Sequence, residues 1–165
     1  MKPHPWSELV ERYSRFEERF EGGVPPPATD GAIQAMLQSA QNDDLVVPDD
    51  YVEYLKMRNG ASFNGLMLYG ADIADGDSYH RLDLVVINQY QFNRGDATVL
   101  GTSDIDAYVV VGPEGPYRRL DRASWDTIAE FRTCDELLAS IFAAHTTTSV
   151  GLPAIREHHY AEDER

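Results

Sequence analysis

The sequence predicts an α+β chain of one domain, helical at both ends, with short antiparallel strands between. Three observations carry this reading. Apolar residues recur at three-and-four spacing in the N-terminal third and again ahead of His145; short runs of strand-forming residues separated by turn signals fill the middle; and 165 residues suit one core of ordinary size.

Trp6, Leu9, Val10, Tyr13, Phe16 and Phe20 share one helical face, opposite Glu8, Glu11, Arg12, Arg15, Glu18 and Arg19. Gly22-Gly23-Val24-Pro25-Pro26-Pro27 ends that helix, because glycine costs backbone entropy and consecutive prolines force an extended path. A second helix starts from a Thr29 or Asp30 cap, places Ile33, Met36, Leu37 and Ala40 on one face, and stops at Asn42-Asp43-Asp44. A third has Pro48 in its first turn, with Asp49 and Asp50 at the positive end of its dipole. Its inward residues are Tyr51, Val52 and Leu55, flanked by Tyr54, and Asn59-Gly60 supplies a left-handed stop.

Phe63–Tyr69 reads as strand, with Asn64-Gly65 a tight turn or a bulge near its start. Asp72–Arg81 is a polar loop. Leu82–Phe92 carries both strand and helix signals, and the helix reading is preferred. Thr98–Gly101, Tyr108–Val111 and Tyr117–Leu120 follow as short strands of an antiparallel meander. Thr133-Cys134-Asp135-Glu136 is a capping box, opening a helix that turns Leu137, Leu138, Ile141 and Phe142 inward. The domain is expected to span residues 1–145, with 146–165 a weakly ordered tail that has lost periodicity.

Charge is the most unusual total. Asp and Glu number 28 against 14 Lys and Arg, a formal net charge of −14. Such a surface repels phosphate backbones and anionic lipid, attracts basic partners, and also aids solubility. The lone Cys134 excludes a disulfide framework and a Cys-based zinc site, and favours a reducing compartment. The start, Met1-Lys2-Pro3-His4-Pro5-Trp6, has no signal-peptide character, so a cytoplasmic location is expected, away from membranes.

The block Val47-Pro48-Asp49-Asp50-Tyr51-Val52-Glu53-Tyr54-Leu55, then Asn59-Gly60, then Phe63-Asn64-Gly65-Leu66 and Tyr69-Gly70, resembles the central signature of the SUKH superfamily, in its Smi/Knr-like and YrhA-like bacterial branch. Val47 and Tyr54 stand where that signature more often has leucine and phenylalanine. Leu100-Gly101-Thr102-Ser103-Asp104-Ile105-Asp106-Ala107-Tyr108 is similar to the family's meander, and Phe131-x-x-Cys134-x-Glu136-Leu137-Leu138 to its closing helix. The resemblance covers about residues 29–145. It implies a mostly antiparallel sheet packed by helices, no catalytic centre, no cofactor, and a role in protein binding, in many bacterial relatives as immunity proteins that neutralise toxins directly.

Several stretches carry the residue types of sharper chemistry. Gly60 to Gly65 has phosphate-loop spacing, but Leu66 and Met67 follow where lysine and a hydroxyl belong. Asp72, Asp75 and Asp77 miss the spacing of a calcium hand. His158-His159 lack a third ligand, Cys134 is flanked by acids that oppose a thiolate, and no serine sits in Gly-x-Ser-x-Gly. Trp125 and Tyr79 are candidate anchors, with core packing preferred for Trp125. Asp104 and Asp106 read first as turn residues and second as partner contacts. The expectation is therefore a non-enzymatic binding protein without metal, an immunity protein for a basic toxin domain, with contacts from Asp72, Asp75, Asp77, Asp104 and Asp106. A regulatory or scaffold module with an endogenous partner is the alternative.

Overall fold

The computed structural model describes residues 3–21, 24–72, 83–92 and 97–151, and it is α+β. Among the described residues, six antiparallel strands form one sheet in strict chain order: β1 (Ala61–Phe63), β2 (Leu66–Leu68), β3 (Ala97–Ser103), β4 (Asp106–Val111), β5 (Tyr117–Asp121) and β6 (Thr127–Phe131). The helices are α1 (Ser7–Glu21), α2 (Asp30–Asn42), α3 (Asp49–Leu55), α4 (Leu84–Ile87), extended by a π turn over Asn88–Phe92, and α5 (Cys134–Gly151). No described helix is long and apolar enough to cross a membrane.

The helical faces lie where the spacing puts them. Trp6, Val10, Tyr13, Ile33, Met36 and Ala40 are buried, and Leu9 and Leu37 pack partly against them. The Thr29 hydroxyl caps α2 by accepting from the Ala32 amide at 3.1 Å. Pro48 is the residue before α3 rather than inside its first turn, at φ −65 and ψ 145. Tyr51, Val52, Tyr54 and Leu55 are all buried, and the Tyr51 hydroxyl donates to the Tyr69 carbonyl at 2.6 Å, pinning α3 to the β2 end of the sheet.

Helix α3 stops at Leu55, ahead of the expected Asn59-Gly60 stop. Gly60 alone is left-handed there, at φ 93, and it turns the chain into β1. Asn59 acts through its side chain: Oδ1 accepts from the Ala71 amide at 2.7 Å and Nδ2 donates to Asp72 at 2.8 Å, tying the α3–β1 turn to the end of β2. Between β1 and β2, Asn64 (φ 59) and Gly65 (φ 79) make a tight hairpin turn, so Phe63–Tyr69 is two strands joined by a turn rather than one bulged strand.

The preferred helix over Leu82–Phe92 is present from Leu84. Asn88 fastens it to β3, donating to the Val99 carbonyl and accepting from the Val99 amide at 2.9 and 2.8 Å. Strand β6 is an addition to the expected meander; it is an edge strand, half exposed, so it lacks the buried apolar run that marks β3 and β4. The Thr133 hydroxyl accepts from the Glu136 amide at 3.1 Å, while Glu136 reaches the Arg132 amide at 2.9 Å, one residue earlier than a standard box. Leu137, Leu138, Ile141 and Phe142 are buried, and α5 continues to Gly151, beyond the boundary expected at His145. His158-His159 and Tyr79 lie outside the described residues.

Candidate partner-binding surface

The acids singled out by sequence do not form one cluster. Asp104 and Asp106 sit at the β3–β4 turn, beside the Asn64-Gly65 turn: Leu66 pairs with Ser103, and a Cβ on Gly65 would lie 3.2 Å from an Asp104 carboxylate oxygen. Asp72 is at the other end of β2, beyond Gly70, about 15–20 Å further along extended chain. Asp75 and Asp77 lie outside the described residues.

The β3–β4 turn is rigidly bonded, though not by the aspartates. The Ser103 hydroxyl accepts from the amides of Ile105 and Asp106 at 3.4 and 3.0 Å. Arg122 clamps the turn from the neighbouring strand, its amide donating to the Ile105 carbonyl and its guanidinium to the Ser103 carbonyl, both at 2.8 Å. Ile105 is thereby held 71% exposed at the tip, with Asp104 exposed beside it. Asp106 is half-buried and stands 3.8 Å from Arg119. Arg119 thus offsets Asp106, and the Arg122 guanidinium is held on the same turn by the Ser103 carbonyl.

Asp72 has different company. It lies with Asp83 and Asp43 on an open groove between α2 and α4. Asp83 caps α4, its Oδ1 accepting from the Val85 and Val86 amides at 2.9 and 3.1 Å. Burial pushes its carboxyl above the usual range; the two amides oppose the shift and Asp72 reinforces it. A carboxyl raised in the fold binds its proton more tightly folded than unfolded, so its contribution to stability is full below the unfolded value and is lost as pH rises. Asp83→Asn, which keeps the cap acceptor, is therefore expected to raise the melting temperature at pH 7, and the gain should vanish below about pH 4. Thermal melts across pH test this; a gain independent of pH removes the charge explanation.

Two further constellations escape a linear reading. His4, Asp50 and Asp135 meet where the N-terminal segment crosses the starts of α3 and α5: His4 Nδ1 is 3.1 Å from Asp135, and the Trp6 indole donates to the same carboxylate at 2.8 Å. Burial first, then Asp135, pushes the Asp50 carboxyl up, against His4. Asp50 lies in the first turn of α3 and Asp135 in the first turn of α5, near the positive ends of both helices. The second is Glu17–Arg58, joined at 2.9 Å with both side chains buried. Glu17 lies on the inner side of α1, where helical spacing registers a charge only as an interruption.

Cys134 is buried, and desolvation, with Asp50 and Asp135, pushes its thiol up, the behaviour of a packing residue. Trp125 adopts a left-handed backbone at φ 66 and packs edge-on against Phe92, with ring centres 5.9 Å apart. Its partial burial agrees with packing as the primary role. Comparison with known proteins finds no family model that matches the chain and no curated protein that matches it.

Proposed function

We propose that this chain is a non-enzymatic binding protein of the SUKH type, which neutralises a basic toxin domain by direct contact. The observation that carries the reading is charge: −14 overall, with carboxylates presented on rigid backbone at two separate places, the β3–β4 turn and the α2–α4 groove. The α+β fold and its antiparallel meander agree with what the three motif resemblances imply. A nuclease-like toxin needs a basic cleft to grip phosphate, and an acidic protein that covers such a cleft competes with its substrate.

Electrostatic steering makes this testable. Association with a basic toxin domain encoded beside this protein should approach about 10⁸–10⁹ M⁻¹s⁻¹ at low salt and slow steeply as salt is added. Asp104→Asn/Asp106→Asn should lower the on-rate and leave the off-rate nearly unchanged if that turn is at the rim of the contact. Stopped-flow or surface-capture kinetics at two ionic strengths measure both. An association rate indifferent to salt would leave the net charge as a solubility feature and would favour a regulatory module with an endogenous partner instead.

A further inference from the structure

Three side chains from three separate elements converge on one point: His4 ahead of α1, Asp50 on α3 and Asp135 on α5. One ring nitrogen of His4 and one oxygen from each carboxylate all lie within 4.8 Å of one another. His4 Nδ1 stands 3.1 and 3.4 Å from the two Asp135 oxygens. Two donors bound to one zinc ion at about 2.0–2.2 Å, roughly 90–110° apart, are themselves about 2.8–3.6 Å from each other, so the imidazole and one carboxylate already hold that spacing. A supporting shell is in place behind them. Trp6, fully buried, donates its indole N–H to Asp135 Oδ1 at 2.8 Å, and the His4 ring stacks on the indole, with centres 4.6 Å apart and planes 16° from parallel. One buried aromatic thus orients two of the three donors, as an outer residue does for the ligands of a metal. Asp49 and Glu53 add to the negative charge felt by Asp50, so the imidazole meets more carboxylate charge than its own proton can neutralise.

We infer that His4, Asp50 and Asp135 form a binding site for a divalent transition-metal ion of the zinc type. One nitrogen and two oxygens supply three protein ligands, and water takes the fourth, tetrahedral position; the side chains of His4 and Asp135, each 26% exposed, leave the site accessible to solvent. Magnesium and calcium suit it poorly, since they take oxygen ligands and more of them. The Nδ1 proton that His4 turns toward Asp135 leaves to solvent when the ion takes its place. The ion then clasps the N-terminal segment to the starts of α3 and α5. This role is independent of the binding function proposed above and goes beyond it.

The test uses the full chain, stripped with a chelator and dialysed, with zinc chloride as the probe. Calorimetric titration should show a saturable equivalent, and the melting temperature should rise with zinc concentration. Magnesium and calcium chlorides at the same concentrations should do neither. His4→Phe keeps a ring to stack on Trp6 and removes the ligand nitrogen, whereas Asp50→Asn keeps the shape and removes the charge. Each should weaken zinc at least about ten-fold, because losing a ligand costs no less than losing an outer-shell partner. Neither position is in the buried core, so both metal-free variants should keep a single cooperative melt; if one does not, the other decides. His158→Ala/His159→Ala, outside the described residues, controls for the paired histidines and should leave this equivalent unchanged. Zinc binding that survives both His4→Phe and Asp50→Asn, that is lost with His158 and His159, or that magnesium matches overturns the site.

Discussion

Glu17→Ala is expected to destabilise the fold by about 3–5 kcal/mol, because it leaves a buried guanidinium without its counter-charge. Arg58 is 1% exposed; its Nη2 donates to Glu17 at 2.9 Å, its Nη1 to Ser14 at 2.8 Å and its Nε to the Gly60 carbonyl at 3.0 Å. The head also stands 5.1 Å from the Tyr13 ring centre. Burial opposes its charge, yet the guanidinium is held above its ordinary value, with the Glu17 carboxylate and its hydrogen bond favouring the charged form. Removing Glu17 keeps the desolvation penalty and deletes the compensating carboxylate. With a urea slope of about 1–3 kcal/mol/M, the unfolding midpoint should fall by roughly 1–5 M.

The double variant Glu17→Met/Arg58→Met is the control. Replacing a buried pair by apolar side chains of similar size is often neutral or stabilising, so the double variant should recover most of the loss. The Gly60 carbonyl would not be stranded, since the Tyr54 hydroxyl also donates to it at 2.9 Å. A single variant that loses less than about 1 kcal/mol would mean that water reaches Arg58 and that the pair is not sealed. The consequence reaches the architecture: α1 lies outside the segment that carries the SUKH resemblance, and this pair fastens it to the Arg58–Gly60 turn within that segment.

The helices were legible because burial imposes a period on them. Trp6, Val10 and Tyr13, or Leu137, Leu138 and Ile141, announce their faces from spacing alone, and Thr29 and Thr133 mark helix starts by short-range bonding. Strand β6 was illegible for the converse reason. Thr-Ile-Ala-Glu-Phe at a sheet edge has no continuous buried run, and the turn before it depends on Trp125 in a conformation that a bulky residue rarely adopts. The candidate surface was half legible. Sequence identifies which residues carry charge, but only the fold sends Asp104 and Asp72 to opposite ends of β2 and brings Asp72 beside Asp83 and Asp43. Glu17 and Arg58, far apart in the chain, meet only when α1 packs.

The largest effect is expected from Leu55→Asp. Leu55 is fully buried on α3, its carbonyl accepts from the Ala28 amide at 2.9 Å, and α3 packs against α5. The substitution discards about 2–3 kcal/mol of apolar burial and forces a carboxyl into a site with no partner prepared for it. An ionised carboxylate there costs several kcal/mol more, so the sum rivals the roughly 5–15 kcal/mol that holds a whole domain together. The variant should show no cooperative thermal transition at pH 7. Its carboxyl would be raised in any folded form, so the penalty should shrink as pH falls toward the ordinary carboxylate range, about 4, and a partial return of structure near pH 5 would identify charge as the cause. The neighbouring Lys56→Asp tests orientation. Lys56 is exposed and, among the described residues, its ammonium makes only a surface pair with Glu53 at 3.2 Å, so its loss should change stability by less than about 1 kcal/mol. Circular dichroism melts of the two variants side by side decide the point: equal stability for Leu55→Asp and Lys56→Asp would mean that α3 does not present Leu55 to the core.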